Sequence, residues 1–435
     1  MSDRTSRPSL KVLGGVGAAA VACGGLAYWY FSGGLGKALV STLQSHTIRA
    51  HGFTQHTLTL TLPASSASSS SSSSTTTQVV IVPYYLRAEE KRQPRTTATP
   101  QNNNSNTNQE PPSKKEEEEE KEEDKKINNN NNTNNNPIVI LHGFGMDAAS
   151  MAAALSPEFL AAVAHRRVIL LDLPGHGALV GKVGAGGEAK KEGGGAGSGS
   201  GYAVSRHFVV HLLRVLDALL GKGCGFDLVG YSLGGAVATY LARERPEQVG
   251  KLLLLAPALP DTIGEGFQAA AIAKPGDYHG YTTAEGIRNF MLHGLSFAPK
   301  LVPPTFILRG VARMRNDAAP SPDYWPGYVA AMLADQSKDK AFVETHGDAL
   351  RQAFARTGTR VMIVTGDKDV ICEPGKMWRL QDALGDAVSR NIVVPGYGHY
   401  GTDAPDAADF RPPDDNFVRV ALRTHGVGFF GGSEQ

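Results

Sequence analysis

A buried strand that turns into a helix within a residue or two constrains a fold tightly, and residues 226–241 have that form. Phe226, Leu228 and Val229 make a short apolar run of the kind a covered strand needs. Ala236, Val237, Ala238, Tyr240 and Leu241 continue as a helix. Between them stand Gly230-Tyr231-Ser232-Leu233-Gly234-Gly235, a Gly-x-Ser-x-Gly. The glycines permit so sharp a turn that the serine backbone is strained and its Oγ stands exposed. The N–H of Leu233, at the start of the helix, then points where an oxyanion would form. A bare Gly-x-Ser-x-Gly also occurs in plain glycine-rich turns. Its position between a strand and a helix is what makes Ser232 a candidate nucleophile.

Other apolar runs repeat the strand pattern at residues 137–141, 167–171, 251–256, 360–364 and 391–394. Most are followed by a loop and a helical stretch, and they lack polar alternation. That combination specifies a mainly parallel sheet with helices on both faces. Residues 57–62, which alternate Thr and Leu, and residues 78–86 read as a hairpin ahead of it. A helix over 202–220 sets Val204, Phe208, Leu212, Leu216 and Leu219 or Leu220 on one stripe. His207 and His211 fall on the other face, four apart. With no Glu beside the first and no third ligand near, they read as solvated surface rather than a metal pair. Strand-like runs stop for about a hundred residues after Pro257, and helical patterns at 284–297 and 322–336 fill part of that gap. The expected organisation is a tail over 1–47, an α/β core over 48–260, an inserted helical cap over 261–356, and the rest of the core over 357–435.

With 435 residues the chain has room for one large α/β domain, a cap and tails. Its net charge of +1 gives no reason to expect nucleic acid as a partner, and no protein partner is implied. Three widely spaced cysteines, Cys23, Cys224 and Cys372, exclude a disulfide framework or a zinc cluster. Three low-complexity stretches, about 64–77 (Ser), 88–136 (Asn, Lys and Glu) and 181–201 (Gly-rich), cannot bury enough apolar surface to offset their ordering entropy, so they read as disordered inserts. Residues 12–31 carry no charge, end in Tyr28-Trp29-Tyr30-Phe31 and follow Arg4, Arg7 and Lys11. About 20 residues at 1.5 Å each span a hydrocarbon core, so a single-pass N-terminal membrane anchor is expected. The rivals are a cleaved signal or a transit peptide, which would make the protein secreted or organelle-targeted.

A serine hydroxyl needs a base, and the base needs an orienting acid. In open α/β sheets both belong in loops at the carboxyl ends of strands. The loop after Val364 carries Gly366-Asp367-Lys368-Asp369, and the loop after Val394 carries Gly396-Tyr397-Gly398-His399. The order Ser, Asp, His is therefore present, with the acid open between Asp369 and Asp367.

On these motifs the chain resembles the α/β-hydrolase fold enzymes, from about residue 138 to the end, with the hairpin as the first two strands. The resemblance implies Ser232 as nucleophile, His399 as base and Asp369, ahead of Asp367, as acid. It implies the backbone N–H groups of Phe144, in His142-Gly143-Phe144, and of Leu233 as the oxyanion hole. Asp172 and His176 match a turn that shapes a loop. Serine at 232 differs from the dehalogenases and epoxide hydrolases of this fold, which use Asp there. The implied reaction is acyl transfer to Ser232 and then to water, with no metal and no organic cofactor. Phe290, Met291, Tyr324, Trp325, Tyr328 and Met332 in the cap suggest an apolar ester, and with the anchor the whole is similar to membrane-bound monoacylglycerol lipases and related esterases. The same triad could instead serve a thioesterase, a carbon–carbon bond hydrolase, an acyltransferase or a peptidase. A non-catalytic anchored binding module is the remaining alternative.

Overall fold

The computed structural model describes residues 48–63, 77–87, 135–180, 208–273, 282–303, 305–321, 324–325, 327–328, 342–402 and 416–431. The expected anchor at 12–31 lies outside the described residues, as do 64–76, 88–134 and 181–201 of the expected inserts and residues 202–207, with His207, of the expected helix over 202–220. No helix among the described residues is long and apolar enough to cross a membrane.

Among the described residues eight strands form one sheet: β1 (Thr54–Pro63), β2 (Thr77–Arg87), β3 (Ile138–Leu141), β4 (Val168–Leu171), β5 (Phe226–Tyr231), β6 (Val249–Leu255), β7 (Arg360–Gly366) and β8 (Val388–Val394). Their order is β1-β2-β4-β3-β5-β6-β7-β8. β1 and β2 pair antiparallel as the expected hairpin, with Thr54 opposite Leu86, and β2 joins β4 antiparallel. The pairings from β4 through β3 to β8 are parallel. Every residue of β3, β4 and β5 is buried, which explains why these runs show no polar alternation. The sheet is thus the α/β-hydrolase arrangement expected from the sequence.

The chain leaves β3 toward β4 on one side and returns to lay β5 on the other. The carboxyl ends of β3 and β5 therefore flank the point where strand order reverses, the place where α/β sheets form a crevice. Leu141 pairs with Gly230 there, so His142 and Ser232 emerge side by side.

Helices α1 (Ala148–Ala154) and α2 (Pro157–Ala162) follow β3, and α3 (Val209–Leu220) precedes β5. Asp147 and Ser156 cap the first two through their side chains. After β5 comes α4 (Leu233–Glu244), packed on β3, β5 and β6. Between β6 and β7 lie α5 (Glu265–Ala273), α6 (Ala284–Asn289), α7 (Thr305–Ala318) and α8 (Phe342–Thr357). Of these α6, which continues as a π-turn over Phe290–Gly294, falls within the first helical stretch read from the sequence, and the described residues of the second, Tyr324, Trp325, Gly327 and Tyr328, are helical as well. α9 (Pro374–Leu384) follows β7, and α10 (Phe417–Ala421) and α11 (Val427–Gly431) follow β8.

Three expectations need correction. Thr77 already belongs to β2, so the serine stretch ends before it. Asn136 belongs to the ordered chain, because its carbonyl accepts from the guanidinium of buried Arg166. His211 is buried rather than solvated. The covered face of α3 takes in Phe208, His211, Leu212, Val215 and Leu216, a spacing of three and four that is wider than the single stripe read from the sequence.

Candidate active site

Ser232 caps α4 with φ 54° and ψ −117°, in the left-handed region that disfavours a side chain. The turn is held from several sides. Its N–H donates to the Leu255 carbonyl at 2.9 Å, and its own carbonyl accepts from Ala258 N and Gly235 N, each at 2.9 Å. Gly230 is required by close approach, since a Cβ there would stand 2.5 Å from the Gly234 carbonyl oxygen. The strained elbow expected from the motif is therefore present, fixed by the end of β6, but Ser232 is buried rather than exposed, because the loops of His142–Phe144 and His399 close over it.

His399 lies in the loop after β8, with its backbone carbonyl accepting from the Tyr231 hydroxyl at 2.9 Å. The loop is tied to the β7 loop, as Lys368 N donates to the Tyr397 carbonyl at 2.8 Å. It is tied also to the segment after α6, where Gly401 N donates to the Leu295 carbonyl at 2.8 Å. His399 Nε2 lies 2.8 Å from Ser232 Oγ, and His399 Nδ1 lies 2.8 Å from Asp369 Oδ2. A carboxylate only accepts, so Nδ1 carries the proton and Nε2 is left to accept from the serine hydroxyl. All three side chains are buried. The other carboxylate oxygen of Asp369 accepts from Ile371 N at 2.9 Å and Cys372 N at 2.8 Å. Asp367 is exposed, and its Oδ1 accepts from Gly396 N at 2.7 Å instead.

Gly143 brings the His142–Phe144 loop against the elbow. A Cβ there would sit 3.2 Å from Ser232 Cβ and 2.9 Å from the Tyr231 ring. His142 is fully buried and fixes the loop through both ring nitrogens. Nδ1–H donates to the Gly143 carbonyl at 2.8 Å, and Nε2 accepts from Leu173 N at 3.0 Å. Burial lowers its pKa to about 4, so it is neutral at ordinary pH. Asp172 shapes the adjoining loop, accepting from Ala148 N at 2.7 Å and Ala178 N at 3.0 Å, and burial raises its pKa to about 7. His176 is buried too, with its pKa lowered by burial and then by His142.

The Phe144 side chain meets the segment between β6 and β7. Its ring centroid lies 5.5 Å from His176, 5.7 Å from Tyr328 and 6.4 Å from Trp325. Arg315 stacks over Trp325 at 3.7 Å and stands 5.6 Å from the Phe144 ring. The Tyr324 hydroxyl donates to the Gly175 carbonyl at 3.3 Å. Of the cap residues noted in the sequence, Tyr324, Trp325 and Tyr328 thus cover the loops beside Ser232, while Met332 lies outside the described residues. Arg315 was not legible from sequence, because a single Arg in a helical stretch carries no sign of a stacked partner. Cys372 was also missed. Ligand atoms of Asp369, Cys372 and His399 all lie within 4.8 Å of one another.

Known proteins bear on this geometry. The model of the family described as "Alpha/beta hydrolase family" matches residues 138–408, more than half of the chain. The dihydrolipoyllysine-residue acetyltransferase component of the acetoin cleaving system of Pseudomonas putida is 34% identical over 142 residues, which cover 31% of this chain and 32% of the relative. The chain thus matches about a third of the length of that curated relative. Among solved structures, a proposed lipase, lip1, of Acinetobacter baumannii AYE superposes with a TM-score of 0.50 at 13% identity, covering 82% of this chain and 89% of that one. The meta-cleavage product hydrolase CumD of Pseudomonas fluorescens gives 0.43 at 20% identity, covering 69% and 92%. At such identities the first likeness speaks for the fold alone, and the second adds nothing to it. The matched family spans both the elbow and the His399 loop, and on that ground the chain belongs to the alpha/beta hydrolase family.

Proposed function

We propose that this hydrolase cleaves carboxylic esters through an acyl-enzyme on Ser232, with His399 as general base and acid and Asp369 as the orienting acid. The unbroken chain of contacts from Ser232 Oγ to His399 to Asp369 Oδ2, two links of 2.8 Å, carries the reading. As Ser232 Oγ attacks the ester carbon, His399 Nε2 takes its proton, and the imidazolium so formed faces the Asp369 carboxylate. His399 then gives that proton to the leaving alkoxide. Water repeats the sequence against the acyl-enzyme and frees the acid. The carbonyl oxygen, anionic in each tetrahedral intermediate, would lie against the N–H groups of Leu233 and Phe144. The start of α4 and the tight Gly143 approach support that pair.

The acyl or alcohol group is proposed to be apolar and lipid-like. Buried Tyr324, Trp325 and Tyr328, gathered over Phe144 and the 172–177 loop, support it. Residues 12–31 are proposed to tether the enzyme to a membrane.

A fluorophosphonate reporter should label Ser232, and Ser232→Ala should abolish the labelling. Ser232→Ala and His399→Ala should each lower ester turnover by about 10⁴ or more, and the double variant should lose little further, because the groups act as a unit. Folded single variants that kept a tenth of wild-type turnover would rule out the assignment. A panel of esters, thioesters, amides and β-diketones then separates esterase from the other uses of the same chemistry. Absence of labelling in the wild type would leave a binding module.

A further inference from the structure

Cys372 stands beside the proposed acid and base, and the mechanism makes no use of its thiol. It follows Asp369 by three residues, is fully buried and lends Asp369 Oδ1 its backbone N–H. An isolated bridge to Ile263 fixes its backbone. We propose that Cys372, Asp369 and His399 form a binding site for a soft divalent cation such as zinc or cadmium, and that its occupation switches the hydrolase off. The inhibitory half of this inference rests on His399 being the base; the binding half does not.

The donor set is a thiolate, an imidazole and a carboxylate, the three side chains that zinc takes. Zinc bonds of roughly 2.0 to 2.3 Å place the donors of a tetrahedral site about 3.3 to 3.6 Å apart. Here the ligand atoms lie within 4.8 Å of one another, so small side-chain movements close the site. Charge favours the ion as well. The metal displaces the thiol proton, and a dication with one thiolate and one carboxylate is neutral overall, which suits a buried position. Three protein ligands leave a fourth position for water.

Occupation removes the base whichever ring nitrogen is used. A metal on Nδ1 replaces the proton given to Asp369, so the remaining ring proton sits on Nε2 and faces Ser232 Oγ. The imidazole can then no longer accept from the serine. A metal on Nε2 takes the lone pair that the serine hydroxyl uses. In both cases Ser232 keeps its proton, while the fold need not change.

The test uses the full chain with Cys23→Ser and Cys224→Ser, which leaves Cys372 as its only thiol. Turnover of a water-soluble short-chain ester is titrated with zinc in chelator-free buffer, and cadmium binding is followed by the ultraviolet charge-transfer absorption of a cadmium thiolate. Half-inhibition is expected at micromolar zinc, with recovery on adding EDTA. Cys372→Ala should need at least about tenfold more zinc, the scale of loss seen even when an outer-shell partner of a metal is removed, and should lack the cadmium absorption. Cys372→Val, which refills the volume of the thiol, serves the same purpose if the alanine variant is unstable. Equal zinc sensitivity with and without Cys372, or no cadmium absorption in its presence, would overturn the proposal. Metal-free protein that fails to label at Ser232 would count against the hydrolase mechanism, while the cadmium signal would still decide the site.

Discussion

Asp367 and Asp369 stand two residues apart, and only Asp369 reaches His399. Its Oδ2 lies 2.8 Å from Nδ1, while two backbone N–H groups hold the other oxygen in place. Asp367 faces outward and pins Gly396 in the neighbouring loop. Asp369→Asn should therefore lower kcat by roughly 10³ to 10⁴, because an amide that donates to the imidazole would favour the wrong tautomer. Asp367→Asn should change kcat far less, since its contact is to a backbone N–H that an amide oxygen can still accept. Assays of both variants at matched thermal stability check this, and the reverse ranking would move the acid to Asp367. The sequence placed both aspartates on the right loop, because both are good turn formers, but it could not rank them from residues alone. Which one turns inward depends on the backbone donors of residues 371 and 372. Those donors carry no side-chain signature, and for the same reason Cys372 gave no sign of its position.

Elements whose whole surface is covered were the most legible. β3, β5 and β6 are almost wholly apolar, and a glycine-flanked serine between strand and helix marks the elbow. The helices between β6 and β7 were harder to read, since α7 and α8 are rich in charged residues and lean on neighbours that periodicity does not reveal. α3 shows the opposite error. Its stripe was read too narrowly, and His211 was placed outside when it lies inside, with neither ring nitrogen hydrogen-bonded among the described residues. Burial, aided by the Arg214 charge, lowers its pKa from 6.5 to about 4. The sign follows directly. Below pH 6.5 the unfolded chain takes up a proton at this position that the folded chain refuses until about pH 4, so stability falls as pH drops through that window. His211→Leu should thus raise the melting temperature at neutral pH by removing an unsatisfied buried group. Its advantage over wild type should widen from pH 6.5 to 4 by up to about 3 kcal/mol. Thermal melts of the two proteins across that range measure the difference, and a constant gap would show that His211 does not titrate in this way.

For the molecule as a whole, the two ends of the sheet differ in character. Away from the site, buried Arg166 pairs with Asp227 at 2.5 Å, and the Lys251 ammonium donates to the Phe429 carbonyl at 2.9 Å, which fastens α11 beneath the sheet. At the carboxyl ends of the strands, loops from β3, β4, β5, β7 and β8 converge with the segment between β6 and β7, and an aromatic group stands over Phe144. The apolar, lipid-like substrate proposed for this site would be met most readily where it is concentrated. Long-chain esters dissolve poorly in water, so a hydrolase held at a bilayer meets them without first extracting them. Residues 12–31 have the length and the flanking charges for such a tether, with Arg4, Arg7 and Lys11 before the apolar run and only Lys37 soon after it. Deleting residues 1–36 should accordingly release the protein from membranes, lower turnover of a long-chain monoacylglycerol in vesicles and leave turnover of a soluble short-chain ester unchanged. Fractionation with carbonate washing, followed by both assays on full-length and truncated protein, makes the comparison. Full-length protein that washes off in carbonate would eliminate the tether. Equal losses on the two esters would instead tie the deleted segment to folding, because a tether acts through local substrate concentration and leaves the chemistry at Ser232 untouched.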